Sequence, residues 1–587
     1  MKPFGLVLLL TLCALAQQPS REAAPAAASG DAAFRKLADR YFDEIYFKFN
    51  PTQGTAAGFH QYDPQFENLS SQNIGEQIGA LHRFRALFEQ VDPGKLSAEA
   101  MADRELLISN IMSTLLEVET IRNWERNPDI YSSSTAASAF TIMSRKFAPP
   151  DERLRSLTER EQKMPKILNE ARQNLKNPPR IYTEIAIEQI PGIIGFFQKD
   201  VPDAFVEAKN PKVKQAFNKA NSALIGALQK YEQYLKTEVL PHSNGDFKIG
   251  ADNYRKKLLY DEMVDTPLDR LLEIGTADLR KNQEEFKRVA AEIDPKRTPR
   301  QILEELESDH PTPNHLLQSF HDTFSSLLGF IQEKHIITIP SPVLPIVEET
   351  PPFARALTTA SMDTPGPYES VAKEAYFNVT LPAADWKKEQ VDDYMSGFNR
   401  GTIISTAVHE AYPGHYVQFL WMKEAPSKVR KLLGSGTNAE GWAHYCEQMM
   451  LDEGYGQPGA GARDAREAKM LKLGQLQDAL LRNARFIVGI KMHTGQMSFD
   501  EAKEFFVNEG YQVRSVAEKE AKRGTSDPTY LVYTLGKLQI MKLREDYKKM
   551  KGDQFSLEEF HNAFMRQGFP PIKIVRQSLL GDDSPTL

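Results

Sequence analysis

The string His409-Glu410-Ala411-Tyr412-Pro413-Gly414-His415 places two imidazoles and a carboxylate within one short stretch. These are side chains that hold zinc, an ion that takes four ligands and, in catalytic sites, leaves one position to water. The familiar zinc helix spaces its histidines four apart, whereas here the second lies six residues after the first. On a regular helix such residues point about 120° apart, so an unbroken helix cannot present both to one ion. Pro413 has no N–H for the helical ladder and restricts Tyr412, and Gly414 tolerates backbone conformations that other residues resist. The spacing therefore predicts a helix that breaks after His409 and loops out, returning His415 to the same side. Glu410, beside His409 but pointing elsewhere, is then a candidate general base for an activated water.

A metal also needs a third protein ligand. Beyond the glycine-rich stretch 434–438, the sequence AEGWAHYCE (439–447) reads as a second helix. Glu440, His444 and Glu447 stand there at i, i+4 and i+7, on one face. A carboxylate-bearing helix placed after a chain break can pack antiparallel to the first and complete the site.

The elements that must position these residues are mostly helical. Between Phe34 and about His335 the apolar pattern is overwhelmingly amphipathic, and the pairs Thr266-Pro267, Thr298-Pro299 and Thr312-Pro313 read as helix starts. The segments IITIPSPVLPIVEETPPF and EAYFNVTLP are β-branched or aromatic and broken by prolines, so they predict a few strands and loops. Helical pattern returns beyond Asp392, with Ser498 and Ser556 as caps of late helices. The expected fold class is mainly α: one large helical body with a small strand region just before the metal-binding helix. A single catalytic domain over 34–587 is expected, with a subdivision near 345 as the alternative. No fixed-period repeat marks a solenoid.

The chain has 587 residues, 41% hydrophobic and 26% charged, with a formal charge of -7. Such a chain folds around a large core, and the mild charge without a dominant basic block gives no nucleic-acid footprint. Residues 1–16 combine Lys2, an apolar run and Ala14-Leu15-Ala16, the pattern of a cleaved signal peptide. The apolar run is too short to span a bilayer, and the bulky Leu12 before Cys13 argues against a lipid anchor. Residues 17–33, rich in Ala, Pro and Ser, read as a flexible linker. Cleavage after Ala16 leaves Cys446 as the one thiol, so no internal disulfide forms and the fold must hold by its core. The expectation is an exported bacterial protein, periplasmic or secreted, with no stable membrane anchor after cleavage.

STAVHEAYPGHYVQ followed by NAEGWAHYCE, with NPTQGTAAGFHQYD near the front, resembles domain-of-unknown-function family 885, a bacterial family regarded as zinc-metallopeptidase-like. The resemblance covers nearly the whole mature chain. More widely the sequence resembles the glutamate-zincins, in which two histidines of one helix and a glutamate of the next bind one Zn2+. That resemblance implies His409, His415 and Glu440 as ligands, Glu447 as the group orienting them, and His444 as a neighbouring or substrate-contacting side chain. Arg482, Arg485 and His493 match an Arg-x-x-Arg helix ending in His, with Gly489 where an Asp is usual. Tyr533 and Gly536 match a Tyr-x-x-Gly pattern, with Pro528-Thr529-Tyr530 in place of the usual Pro-Gly-Gln. By the chemistry of peptide hydrolysis Tyr533, and after it His493, are candidate donors to the developing oxyanion. Tyr376 and Asn378 are expected on a strand beside the metal helix, where an extended substrate could pair with the strand edge.

The activity expected is zinc-dependent hydrolysis of a peptide or a small acylated substrate, with Glu410 as base. The alternatives are a non-catalytic periplasmic binding or scaffold protein with a structural metal, and a zinc amidase or esterase. Another divalent ion in place of zinc is compatible with the same donor atoms.

Overall fold

Proline and short polar side chains start many of the helices. Thr298 accepts from the Gln301 N–H in a reciprocal box with Pro299 in the first turn, and Ser498 does the same with Glu501. Ser556 likewise caps the helix Leu557–Met565. Thr312-Pro313 opens a short 3-10 turn that leads into Leu316–His321. Thr266-Pro267 precedes the helix that begins at Leu268.

The computed structural model describes residues 30–351, 354–355 and 358–587. The signal-peptide reading and most of the linker reading fall outside these. The first described helix begins at Asp31, three residues before Phe34. The protein is mainly α, and its few strands lie where the helical pattern lapses. Strands β1 (Ile346–Glu349), β2 (Ala360–Asp363) and β3 (Tyr376–Val379) form a sheet in the order β1-β3-β2. β1 runs parallel to β3 and β2 antiparallel to it. β2 was not legible in the sequence, because Ala-Ser-Met-Asp carries neither β-branched residues nor alternation.

Seven helices frame the site: α1 (Leu268–Ile293), α2 (Arg400–Glu410), α3 (His415–Trp421), α4 (Gly436–Asp452), α5 (Ala465–His493), α6 (Arg514–Ser526) and α7 (Val532–Lys551). α5 is central and buried along nearly its whole length, packed by α1, α2 and α6. Glycines let the backbones meet where these helices cross. A Cβ on Gly474 would lie 2.5 Å from the Gly401 Cα, and one on Gly441 would lie 2.5 Å from the Gly536 Cα. The first contact brings α2 onto α5 and the second brings α4 onto α7. Each crossing therefore sets the height of the side chains one or two turns further along.

The cores are shared between distant parts of the chain. Phe34, Phe42 and Phe88 of the N-terminal helices pack in one cluster with Val429, Leu433 and Ile574. Buried Arg430 donates to Asp103 at 2.6 Å, an ion pair whose removal from one side would strand a buried charge. No described helix is long and apolar enough to cross a membrane.

Candidate metal centre

α2 is started by Asn399, whose side chain accepts from the Thr402 N–H at 3.0 Å and donates to Gln477 of α5 at 3.1 Å. The helix stops at Glu410 and helical structure resumes at His415. Between them the Tyr412-Pro413 peptide is cis, and the Gly414 N–H turns back to the Val408 carbonyl at 3.0 Å. The break predicted from Pro413 and Gly414 is present, but the reason for glycine is closeness, not a left-handed backbone. A Cβ on Gly414 would lie 1.8 Å from the His409 carbonyl oxygen. Trp442 of α4 donates to the Pro413 carbonyl at 2.9 Å and so ties the loop to the second helix.

This fold-back brings the two imidazoles together, with ring centroids 4.8 Å apart. The Nε2 atoms of His409 and His415 lie 3.4 Å and 3.2 Å from Glu440 Oε2. The three residues are the group of His, Cys, Asp or Glu side chains among the described residues whose donor atoms all lie within 4.8 Å of one another. Once His409 gives up its proton to a metal, two imidazole nitrogens and one carboxylate oxygen make a donor set suited to zinc.

The electrostatics favour a cation at this point. Burial disfavours charge on His409, but the Glu440 and Glu447 carboxylates outweigh it and raise its pKa to about 9. Burial likewise opposes the charge of Glu440, yet the imidazoles of His415 and His409 hold its carboxyl well below the usual carboxylate range.

Glu447 lies behind His409 and orients it. Its Oε1 accepts from His409 Nδ1 at 2.7 Å, which leaves Nε2 facing Glu440. The same carboxylate pairs with Arg482 at 3.0 Å and with His444 Nδ1 at 3.2 Å. A histidine whose outer nitrogen donates to a carboxylate is the arrangement that fixes a ligand's tautomer and raises its basicity. His444 is fully buried, and burial pushes its pKa down to about 4, so it serves as a neutral donor. His415 has no such support, because its Nδ1 is buried without a partner among the described residues.

Glu410 lies on the wall of a cleft together with His409, Arg482, Arg485 and Tyr533. Tyr533 stacks on His409 with ring centroids 6.1 Å apart. Its phenol oxygen accepts from Arg523 at 3.1 Å, which leaves the O–H proton free to donate. Burial, partly offset by Arg523, pushes the phenol up to about 12, so it stays protonated at neutral pH. The Arg485 guanidinium lies 4.6 Å from the same ring centroid and is held by Glu520 through two contacts of 2.6 Å and 2.7 Å.

Other residues lie elsewhere. His493 ends α5, eleven residues or about 16 Å of helix beyond Arg482. Its Nε2 faces the Gly524 carbonyl at 2.8 Å and its ring packs against Phe247, away from the cleft lining. The oxyanion-donor expectation for His493 is therefore corrected; burial lowers its pKa to about 4 and leaves it a buried tie between α5 and α6. Tyr376 and Asn378 lie on β3, but β3 is the middle strand, hydrogen-bonded on both sides, and has no edge to offer. Tyr376 donates to the Ser144 carbonyl at 3.4 Å, and Asn378 is buried. The strand that reaches the cleft is β2, through Ala360.

The two departures noted along α5 and before α7 touch each other. A Cβ on Gly489 would lie 3.0 Å from the Tyr530 ring, so the absent side chain and the added ring occupy one space outside the cleft lining. Sequence reasoning passed over Asp478, Lys519, Glu520 and Arg523, all of which line the cleft. On an amphipathic helix their spacing reads as ordinary polar surface, and only the packing of α6 against the cleft reveals it.

A solved structure described as "a putative lipoprotein of unknown function from Shewanella oneidensis" matches with a TM-score of 0.75 at 26% identity, covering 93% of this chain and 99% of that one. A second, described as "the putative lipoprotein from Colwellia psychrerythraea", has a TM-score of 0.78 at 16% identity and covers 93% of this chain and 98% of that one, a likeness of fold. Among curated proteins none matches. The model of the family described as bacterial protein of unknown function (DUF885) matches residues 51–579, and the chain belongs to that family.

Proposed function

We propose that this protein is an exported, zinc-dependent hydrolase that cleaves peptide bonds. The observation that carries the reading is the convergence of His409, His415 and Glu440, with His409 lining one cleft together with Glu410 and Tyr533. When bound, the ion would make water a nucleophile near neutral pH and polarise the carbonyl under attack. His409, His415 and Glu440 would hold it, and Glu447 would keep His409 in the ligating tautomer.

Glu410 makes no hydrogen bond to the described residues, so its carboxylate is free to take the proton of the attacking water and pass it to the leaving amine. Tyr533 donates its O–H to the oxygen on which negative charge develops. The Arg523 contact leaves that proton as the only group the phenol can offer. The unpaired edge of β2, with Ala360 on the cleft wall, suits an extended peptide better than a compact ester.

Replacing Glu410 by Gln tests the assignment. Zinc content by elemental analysis should stay at the wild-type value, while turnover of a peptide library falls about 10²–10⁴-fold. Unchanged turnover in that variant removes the proposed base. Parallel assays on acylated amino acids and esters, with and without chelator, separate peptidase from amidase and esterase activity; no chelator-sensitive turnover on any of them leaves a structural metal.

A further inference from the structure

The cationic side chains of the cleft are Arg482, Arg485, Lys519 and Arg523, and all but one have carboxylate partners. Arg482 pairs with Glu447 at 3.0 Å and Asp478 at 3.2 Å. Arg485 takes both oxygens of Glu520. Arg523 holds Asp527 at 3.1 Å. Lys519 differs: among the described residues no carboxylate lies within ion-pair distance of its ammonium. Its Nζ donates to the Arg355 carbonyl at 3.4 Å and lies 5.4 Å from the Tyr394 ring centroid. An ammonium has three donors, so two remain uncommitted.

A half-buried charge without a counterion is costly unless something completes it. Burial lowers the Lys519 pKa, and Glu520, the acid that most opposes this, is occupied on both oxygens by Arg485. The placement is informative as well. Val516, Lys519, Glu520 and Arg523 all line the cleft, which puts one face of α6 along it. Arg523 touches Tyr533, and Tyr533 stacks on His409. Lys519 stands one helical turn from Arg523, about 6 Å along the axis, close to the span of two residues of extended chain.

We infer that Lys519 is the receptor for a carboxylate of the substrate, carried about two residues from the bond that is cleaved. The inference rests on the peptidase reading for the position of that bond. A lone ammonium with two open donors suits a carboxylate, whereas a phosphate calls for the forked, multiple donors of an arginine. The carboxylate is either the free C-terminus of a peptide or an Asp or Glu side chain within it.

The test uses the full chain and binding measured by calorimetry. N-acetylated tetrapeptides are compared as free acid and as C-terminal amide, and the amides are compared again with Asp or Asn at the third position. The wild type should bind one carboxylate-bearing member of these pairs about tenfold or more tighter than its neutral counterpart. Which pair shows the difference identifies the source. Lys519→Met should abolish the difference while leaving the neutral peptides unchanged, and Lys519→Arg should keep part of it. Lys519→Gln serves if the Met variant does not fold. Equal binding of acid and neutral peptides to the wild type overturns the inference, as does an equal loss for both in Lys519→Met, or no binding of any peptide. Acid preference that depends on Lys519 but comes without turnover leaves this inference standing and sinks the hydrolase reading. Turnover without acid preference does the reverse.

Discussion

Replacing Glu447 by Gln should weaken zinc binding about 10–100-fold, although Glu447 is not itself a ligand. Its carboxylate is fully buried and accepts from His409 at 2.7 Å while pairing with Arg482 at 3.0 Å and His444 at 3.2 Å. Burial opposes its charge, yet Arg482 and the two histidines hold the carboxyl well below its usual range, so the side chain is an anion at all working pH. Gln keeps the shape but removes the charge, and its amide nitrogen cannot accept from the groups that now donate. A hydrogen bond to a charged acceptor contributes about 1.5–3 kcal/mol against about 0.5–1.5 for a neutral one. The His409 contact alone therefore weakens by roughly 1–1.5 kcal/mol, and a less basic, less firmly held imidazole adds to that. Substitutions behind a metal ligand lower affinity about 10–100-fold, which corresponds to about 1.4–2.7 kcal/mol. Competition against a chromophoric chelator measures the zinc Kd of wild type and variant at one pH, and circular dichroism confirms that both are folded. Because the group is buried, the ratio should persist at high salt. A zinc Kd within twofold of the wild type would refute the reasoning, since Glu447 would then be a structural partner of Arg482 with no hold on the metal ligand.

Gly414→Ala puts a methyl group where the His409 carbonyl stands, 1.8 Å away. The loop must open, so zinc content by elemental analysis should fall well below one equivalent, with destabilisation of about 1–3 kcal/mol in thermal unfolding; full zinc occupancy counts against the proposed role of the fold-back. A pH effect is expected at Glu307, whose pKa burial raises from 4.5 to about 7. Folding favours its protonated form, so the stability it contributes is full below about pH 4.5 and is lost as pH rises through about 7. Glu307→Gln should match the wild type in acid and exceed it by about 1–3 kcal/mol at pH 8, measured by denaturant titration; a constant difference across that range excludes the assignment.

Much of the site was legible because it is local. Pro413 and Gly414 between His409 and His415 require a break in α2, and the i, i+4, i+7 spacing puts Glu440, His444 and Glu447 on one face whatever surrounds them. Helical content followed in the same way from apolar period and caps such as Thr298 and Ser498. What tertiary structure decided is everything that depends on which faces meet. The contact of Gly401 with Gly474 sets α2, which carries His409, against α5, which carries Arg482, and the contact of Gly441 with Gly536 sets α4, which carries Glu440 and Glu447, against α7, which carries Tyr533. His493, on the same helix as Arg482, is carried about 16 Å past the centre by the helical rise alone. Strand order made β3 the middle of its sheet and gave the cleft β2, a pairing that no residue of Tyr376–Val379 announces. Spacing along a chain determines angles within one element, whereas the surroundings of a charge such as Lys519 are set by close packing between elements, which a single sequence does not encode in any local pattern.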